Sequence, residues 1–175
     1  NCDRSPAARS SSVQETLLPI RTLHQWGLEM DDTEALAAAR RGARYLLERR
    51  LLWRKRDGAL MQPSWGGAVD IIHWPIRFYD VLFALLIMSD MGLVRRKACS
   101  DALDLLHAKQ LAGGGFPAER CDTNLATQIK SRGSFANWGP RGKTRANPFV
   151  TVDALHVLRA AGRIPDWLPK QTAKK

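Results

Sequence analysis

Apolar positions along the chain fall into five stretches of helical period, and these alternate in character. Over 33–52, Leu36, Ala39, Ala43, Leu46, Leu47 and Leu51 share one face, while Arg40, Arg41, Arg44, Arg49 and Arg50 cover much of the rest. Over 94–110, Val94, Ala98, Ala102, Leu105 and Leu106 form a second single stripe, ended by Gly113-Gly114-Gly115. Both patterns predict helices that rest on a core along one side. In contrast, 75–89 and 148–161 are apolar nearly all round, which predicts burial on every side. Pro75 and Pro148 are favourable first helical residues, Asn147 is a good N-cap, and Gly162 with Pro165 closes the last helix. A further helix is expected over 13–26, with Ser12 and Glu15 as a capping box, Pro19 as a kink and Gly27 as the stop. Nothing reads as a strand.

Helices one, three and five are therefore expected inside and two and four outside. This is the alternation of an all-α, double-layered α/α toroid, here about half of the ring. An internal repeat points the same way: Pro75 with Asp80 and Leu82 matches Pro148 with Asp153 and Leu155, and Glu15-Thr16-Leu17 takes the same place in the first helix. Glu15, Asp80 and Asp153 are accordingly expected at equivalent registers of successive inner helices.

Three inner and two outer helices cannot close a ring, and an open ring exposes an apolar edge that soluble monomers avoid. The first residue, Asn1, is not methionine. The expectation is a fragment of a longer chain: residues 1–12 continue from an upstream part, 13–165 form the half toroid with a long loop at 117–147, and 166–175 form a basic polar tail. The rest of the toroid, or a second copy, would cover the edge.

Charge and cysteines narrow the partners. The net charge of +10 suits nucleic acid, anionic lipid or a diphosphate substrate. The arginines stand in short clusters such as Arg54-Lys55-Arg56 and Arg95-Arg96-Lys97, with no continuous basic helix and no interleaved aromatics, so no nucleic-acid partner is expected. The longest apolar run, Val81–Met88, falls well short of the roughly 20 residues a membrane span needs, which leaves peripheral membrane contact open. Cys2, Cys99 and Cys121 are an odd set without CxxC spacing, which suits a reducing cytoplasm.

Two stretches resemble the repeat of squalene-hopene cyclases and their relatives among terpenoid cyclases and prenyltransferases. Arg41-Gly42-Ala43-Arg44-Tyr45-Leu46 matches its first half, with Arg50 where that repeat has glutamine. Leu106, Gln110, Gly114 and Phe116 match its second half, with Asp101, Ala102 and Leu105 departing from the front of the pattern. The string His73-Trp74-Pro75 through Leu82, then Thr151 to Leu155, resembles bacterial members of the same superfamily. The resemblance spans about residues 10–165. It implies the toroid fold and an isoprenoid substrate in a central apolar cavity.

The candidate chemistry follows from that cavity. Asp80, Asp153 and Glu15 would be acids or polar groups directed into it; a carboxylate on an apolar helix needs a partner or a shifted pKa. His73, Trp74 and Tyr79 would line the mouth, where aromatic faces stabilise a carbocation, and His156 would add a polar contact on the fifth helix. Each also reads as core or capping. Glu29-Met30-Asp31-Asp32 resembles the Asp-x-Asp-Asp acid motif of class II cyclases, which would make Asp31 catalytic, although Asp31 as an N-cap with Glu34 accounts for the same residues. No metal-ligand spacing is present; magnesium would enter with a diphosphate substrate. Paired carboxylates also admit a glycan-hydrolysing toroid, and a non-catalytic binding scaffold is the third reading. The loop at 117–147, carrying Arg120, Lys130, Arg132, Arg141, Lys143 and Arg145, reads as an anion-binding lid or a solvated loop.

Overall fold

The computed structural model describes residues 11–62, 68–76, 79–120 and 138–164. They form five α-helices: α1 Val13–Glu29, α2 Thr33–Leu47, α3 Val81–Asp90, α4 Ser100–Ala108 and α5 Pro148–Ala160, with a 3-10 turn at Lys97–Cys99 leading into α4. Among the described residues there is no strand, only isolated bridges joining Trp53 to Leu60, His73 to Arg120 and Pro117 to Ala146. The chain is all-α, and none of the described helices is long and apolar enough to cross a membrane.

α1 and α2 form a tight hairpin that two glycines make close. A Cβ on Gly42 would lie 2.6 Å from Ile20 Cγ1, and one on Gly27 would lie 2.7 Å from Leu36 Cγ. Gly27 therefore does not stop α1, as the sequence suggested. It is buried inside a helix that continues to Glu29 and closes with the Met30 N–H on the Trp26 carbonyl. Asp32, not Asp31, caps α2, accepting from the Glu34 and Ala35 N–H groups at 3.0 Å. Asp31 takes the left-handed turn before it (φ 52°), a conformation that aspartate tolerates better than most side chains.

α2 ends at Leu47 rather than 52. Arg50 and Leu51 adopt φ 48° and 63°, which turns the chain so that Leu51 and Leu52 are both buried. Burying each leucine stabilises by about 1.5–3 kcal/mol, which offsets roughly 1–2 kcal/mol for each left-handed residue. α3 begins at Val81, not Pro75, because Asp80 caps it through the Phe83 N–H at 2.8 Å. Val81, Leu82, Phe83, Ala84, Leu85, Ile87 and Met88 are all buried, as its all-round apolar pattern predicts. Residues 94–99 are turn and 3-10 helix, with Val94 and Cys99 anchored in the core, so α4 is shorter than expected.

α3 packs against α1, α4 and α5, and α2 packs on α1. Arg21 Nε lies 3.2 Å from Asp90 Oδ2, and His24 Nε2 lies 3.2 Å from the Asp90 carbonyl. Arg95 Nε donates to the Ala160 carbonyl at 2.8 Å. These contacts place α3 between α1 and α5. Arg163, just past α5, pairs with Asp104 and reaches the Ser100 carbonyl. Burial on every side holds for α3 alone. α5 exposes Phe149 and Val152, and α1 exposes Leu18, Trp26 and Leu28.

The expected register equivalence of Glu15, Asp80 and Asp153 does not hold. The N-caps of α1, α3 and α5 are Ser12, Asp80 and Asn147. Asp153 thus lies inside α5, and Glu15 in the first turn of α1. Residues 1–10 and 165–175, with most of the predicted terminal segments, lie outside the described residues.

Candidate functional site

Two N-caps organise one end of the helical row. Asp80 is fully buried. Its Oδ1 accepts the Phe83 N–H at 2.8 Å and its Oδ2 the His73 N–H at 2.9 Å. Burial pushes the carboxyl up to about 7, while the N–H groups of Phe83, His73 and Leu82 pull it down and the charge of Glu119 raises it. The His73 ring is also buried, with Nδ1 3.1 Å from the Ile71 carbonyl and 4.0 Å from Asp80 Oδ2. The segment before α3 is zipped to the chain after α4. Trp74 N–H donates to the Arg120 carbonyl at 2.9 Å, and Arg120 N–H to the Ile72 carbonyl at 3.0 Å. Glu119 Oε2 accepts both the Ile72 N–H, at 2.9 Å, and Lys109 Nζ, at 2.7 Å.

Asn147 performs the matching task at α5. Its Oδ1 accepts from Phe149 and Val150, and its Nδ2 donates to the carbonyls of Trp138 (2.7 Å) and Pro140 (2.9 Å). The neighbouring strand-like segment follows: Asn147 N–H donates to the Phe116 carbonyl and Gly142 N–H to that of Ala118, each at 2.8 Å. The two ends of the predicted 117–147 loop are therefore fixed by backbone bonds. Its middle, 121–137, which includes Lys130 and Arg132, lies outside the described residues.

These ties gather three aromatic rings. Trp74 stacks on Phe149 with centroids 5.6 Å apart and planes 13° apart, and Trp138 meets both edge-on at 6.3 and 5.8 Å. The Trp74 indole N–H and Asp70 Oδ1 are buried without a hydrogen-bond partner; leaving such a group unmade costs about 1–3 kcal/mol. Phe149 is 41% exposed, and Val152, one turn on, is 66% exposed. Val152 opens into a groove of about 900 Å³ walled by Gly115, Pro148, Leu155 and Ile164, with Gln110 and Thr151 at its edge. Gln110 Nε2 donates to the Gly114 carbonyl at 2.9 Å, and Thr151 Oγ1 accepts the Phe116 N–H at 2.9 Å. The groove is apolar.

The predicted site residues are only partly brought together. His73, Trp74, Tyr79 and Asp80 cluster before α3, but Tyr79 belongs to the core, donating to the Leu51 carbonyl at 2.7 Å, and burial raises its pKa. Asp153 is half-buried; desolvation raises its pKa, and His156 and Arg21 oppose that. His156, Glu15 and Asp31 are exposed. No hydrogen bond or ion pair joins any two of Glu15, Asp31, Asp80 and Asp153, and none of the four lines the groove. Among the described residues no group of three His, Cys, Asp or Glu could hold a metal ion. Sequence reasoning missed Trp138, Phe149 and the Lys109–Glu119 pair. Trp138 sits in a stretch that is polar by composition, and Phe149 counts as core by helical pattern.

The residues that carry the cyclase-like repeat have structural work: Gly42 admits Ile20, Gln110 closes the glycine turn, and Phe116 is fully buried. No protein-family model matches the chain, and no curated protein and no solved structure matches it either.

Proposed function

We propose that the chain is part of a double-layered α/α toroid of the terpenoid-cyclase and prenyltransferase type, and that it binds an isoprenoid-like apolar ligand along the groove on α5. The observation that carries this reading is an apolar groove lined by exposed Val152, one helical turn from Phe149, which is also exposed and whose ring packs on Trp74 and Trp138. Stacked and edge-on rings offer apolar area together with negative ring faces, which suit alkenes and developing carbocations. Support for the toroid comes from α1, α3 and α5 standing in a row, with α2 and α4 packed against them. The rest of the ring, or a second copy, would cover Leu18, Trp26, Leu28 and Met30, all of which are exposed.

Binding is favoured over proton donation. Both Asp80 oxygens already accept backbone N–H groups, so an acid step would have to break a helix cap. Glycan hydrolysis needs two carboxylates about 5–10 Å apart across a cleft, and among the described residues no acid lines this groove. A buried, free Cys99 accords with a reducing compartment such as the cytoplasm.

The test is titration of a fifteen-carbon isoprenoid alcohol, followed by tryptophan fluorescence. Phe149→Ala and Val152→Glu are expected to weaken binding at least about 10-fold, since truncating an aromatic anchor costs over 1 kcal/mol. Leu28→Glu, at an equally exposed apolar position on α1, is expected to leave it unchanged. Equal affinities in all four proteins would refute the groove. Binding of a soluble oligosaccharide in place of the alcohol would favour the glycan reading.

A further inference from the structure

A second pocket, of about 470 Å³, lies where α1, α2 and the turn after α3 meet. Arg40, Arg44, Arg96 and His24 converge on it above an apolar floor that includes Leu47, Met91 and Leu93. We propose that this pocket binds a small molecule bearing a phosphate or diphosphate group, through the guanidinium groups of Arg40, Arg44 and Arg96.

Charge is the first argument. Glu48 is the one acid among the described lining residues, and its Oε2 lies 2.7 Å from Lys55 Nζ. Asp90 nearby is paired with Arg21. Among the described residues Arg40, Arg44 and Arg96 form no close ion pair, although Lys55 and, more weakly, Arg44 lower the pKa of Glu48, whereas Arg21, Arg50, Arg54, Arg56 and Arg163 each have one. The second argument is placement. Arg40 and Arg44 stand one turn apart on the same face of α2, where like charges repel. Arg96 reaches the same space from a different element, so the cluster is not the solvated face of a single helix. An anion would relieve that repulsion.

The ligand class follows from the donors. Guanidinium forks match the oxygens of phosphate bidentately. Three forks offer more donors than one carboxylate can accept, which points to a phosphate or diphosphate. The apolar floor weakens competition from water and leaves room for a short organic portion.

Inorganic pyrophosphate and inorganic phosphate are the probes, titrated at fixed ionic strength by isothermal calorimetry and by amide chemical shifts. Saturable binding is expected, with pyrophosphate tighter, and shifts centred on α2 and residues 91–97. Arg40→Gln/Arg44→Gln and Arg96→Gln should each weaken it at least tenfold. Arg141→Gln/Arg145→Gln removes the same charge as the first variant at exposed positions before α5 that do not line the pocket, and should change affinity less than twofold. Equal losses in both double variants would show attraction to net charge alone and overturn the proposal, as would non-saturable binding. Circular dichroism of each variant separates loss of the pocket from loss of the fold.

Discussion

Asp80 makes stability depend on pH in a way that can be worked through. Its carboxyl is fully buried and rises from 3.8 to about 7. The folded chain therefore holds a proton that the unfolded chain releases near pH 4. At 1.36 kcal/mol per unit, a rise of about 3 units amounts to about 4 kcal/mol. Because the folded pKa is the higher one, this stabilisation is complete below about pH 4, is lost as pH climbs towards 7, and does not return above that. About 2–3 kcal/mol of it should disappear between pH 5 and 8. The perturbation is Asp80→Asn, which keeps an acceptor for the Phe83 N–H but does not titrate. Urea unfolding by circular dichroism at pH 5, 6, 7 and 8 gives both profiles. Asp153, raised by its own desolvation, and the net charge of the molecule contribute to both proteins and cancel in the difference. The stability of the natural chain relative to the variant should fall by that amount over the range. Parallel profiles would refute the reasoning. A difference that grows with pH would show that the N–H groups of His73, Leu82 and Phe83 hold Asp80 ionised against burial.

Three packing predictions follow from the same structure. Asn147→Ala removes two acceptor and two donor bonds at the start of α5, and should lower unfolding free energy by about 2–4 kcal/mol, the cap alone contributing about 1. Gly42→Ala drives a methyl into Ile20, 2.6 Å away; a loss of about 1–3 kcal/mol is expected, and in a double-mutant cycle Ile20→Ala should be less harmful on that background than alone. Glu119→Ala strands Lys109, whose side chain is 13% exposed, and frees the Ile72 N–H; a loss of about 3–5 kcal/mol is expected from urea titration.

The sequence pattern carried the helices and much less of the site. α3 was legible because Val81–Met88 is apolar on every side, and α5 because Asn147-Pro148 is a cap followed by a first-turn proline. The registers were not. Proline and aspartate recur at the same spacing before Leu82 and before Leu155, but Asp80 caps a helix and Asp153 lies within one. Spacing along the chain records which residues are near one another, not which backbone N–H groups an oxygen will accept. For the same reason Asp31 looked like a cap, when the left-handed turn at that position hands the role to Asp32. The aromatic cluster depends on Trp74, Trp138 and Phe149, three residues from three segments, and no periodicity links them. The arginines of α2 were legible as a polar face; that Arg96 joins two of them depends on the turn after α3, which the pattern had assigned to a longer α4.

The aromatic cluster and the arginine pocket stand at opposite ends of α3, and this makes them separable. Trp74 precedes the helix and is tied to its cap through the neighbouring His73, whereas Met91 and Leu93, in the floor of the arginine pocket, follow its last turn. A helix of ten residues spans about 15 Å. Pyrophosphate at Arg40, Arg44 and Arg96 therefore cannot touch the aromatic cluster, and α3 between them is fully packed, with Leu85 and Ile87 completely buried. A rigid packed element with one arrangement transmits no preference from one end to the other. Saturating pyrophosphate should change the affinity for the isoprenoid alcohol by less than twofold, measured by repeating the fluorescence titration in its presence. Competition would place both ligands in one site and refute the division. Mutual enhancement would require α3 to have a second arrangement, which amide exchange along 81–90, with and without pyrophosphate, would reveal as altered protection.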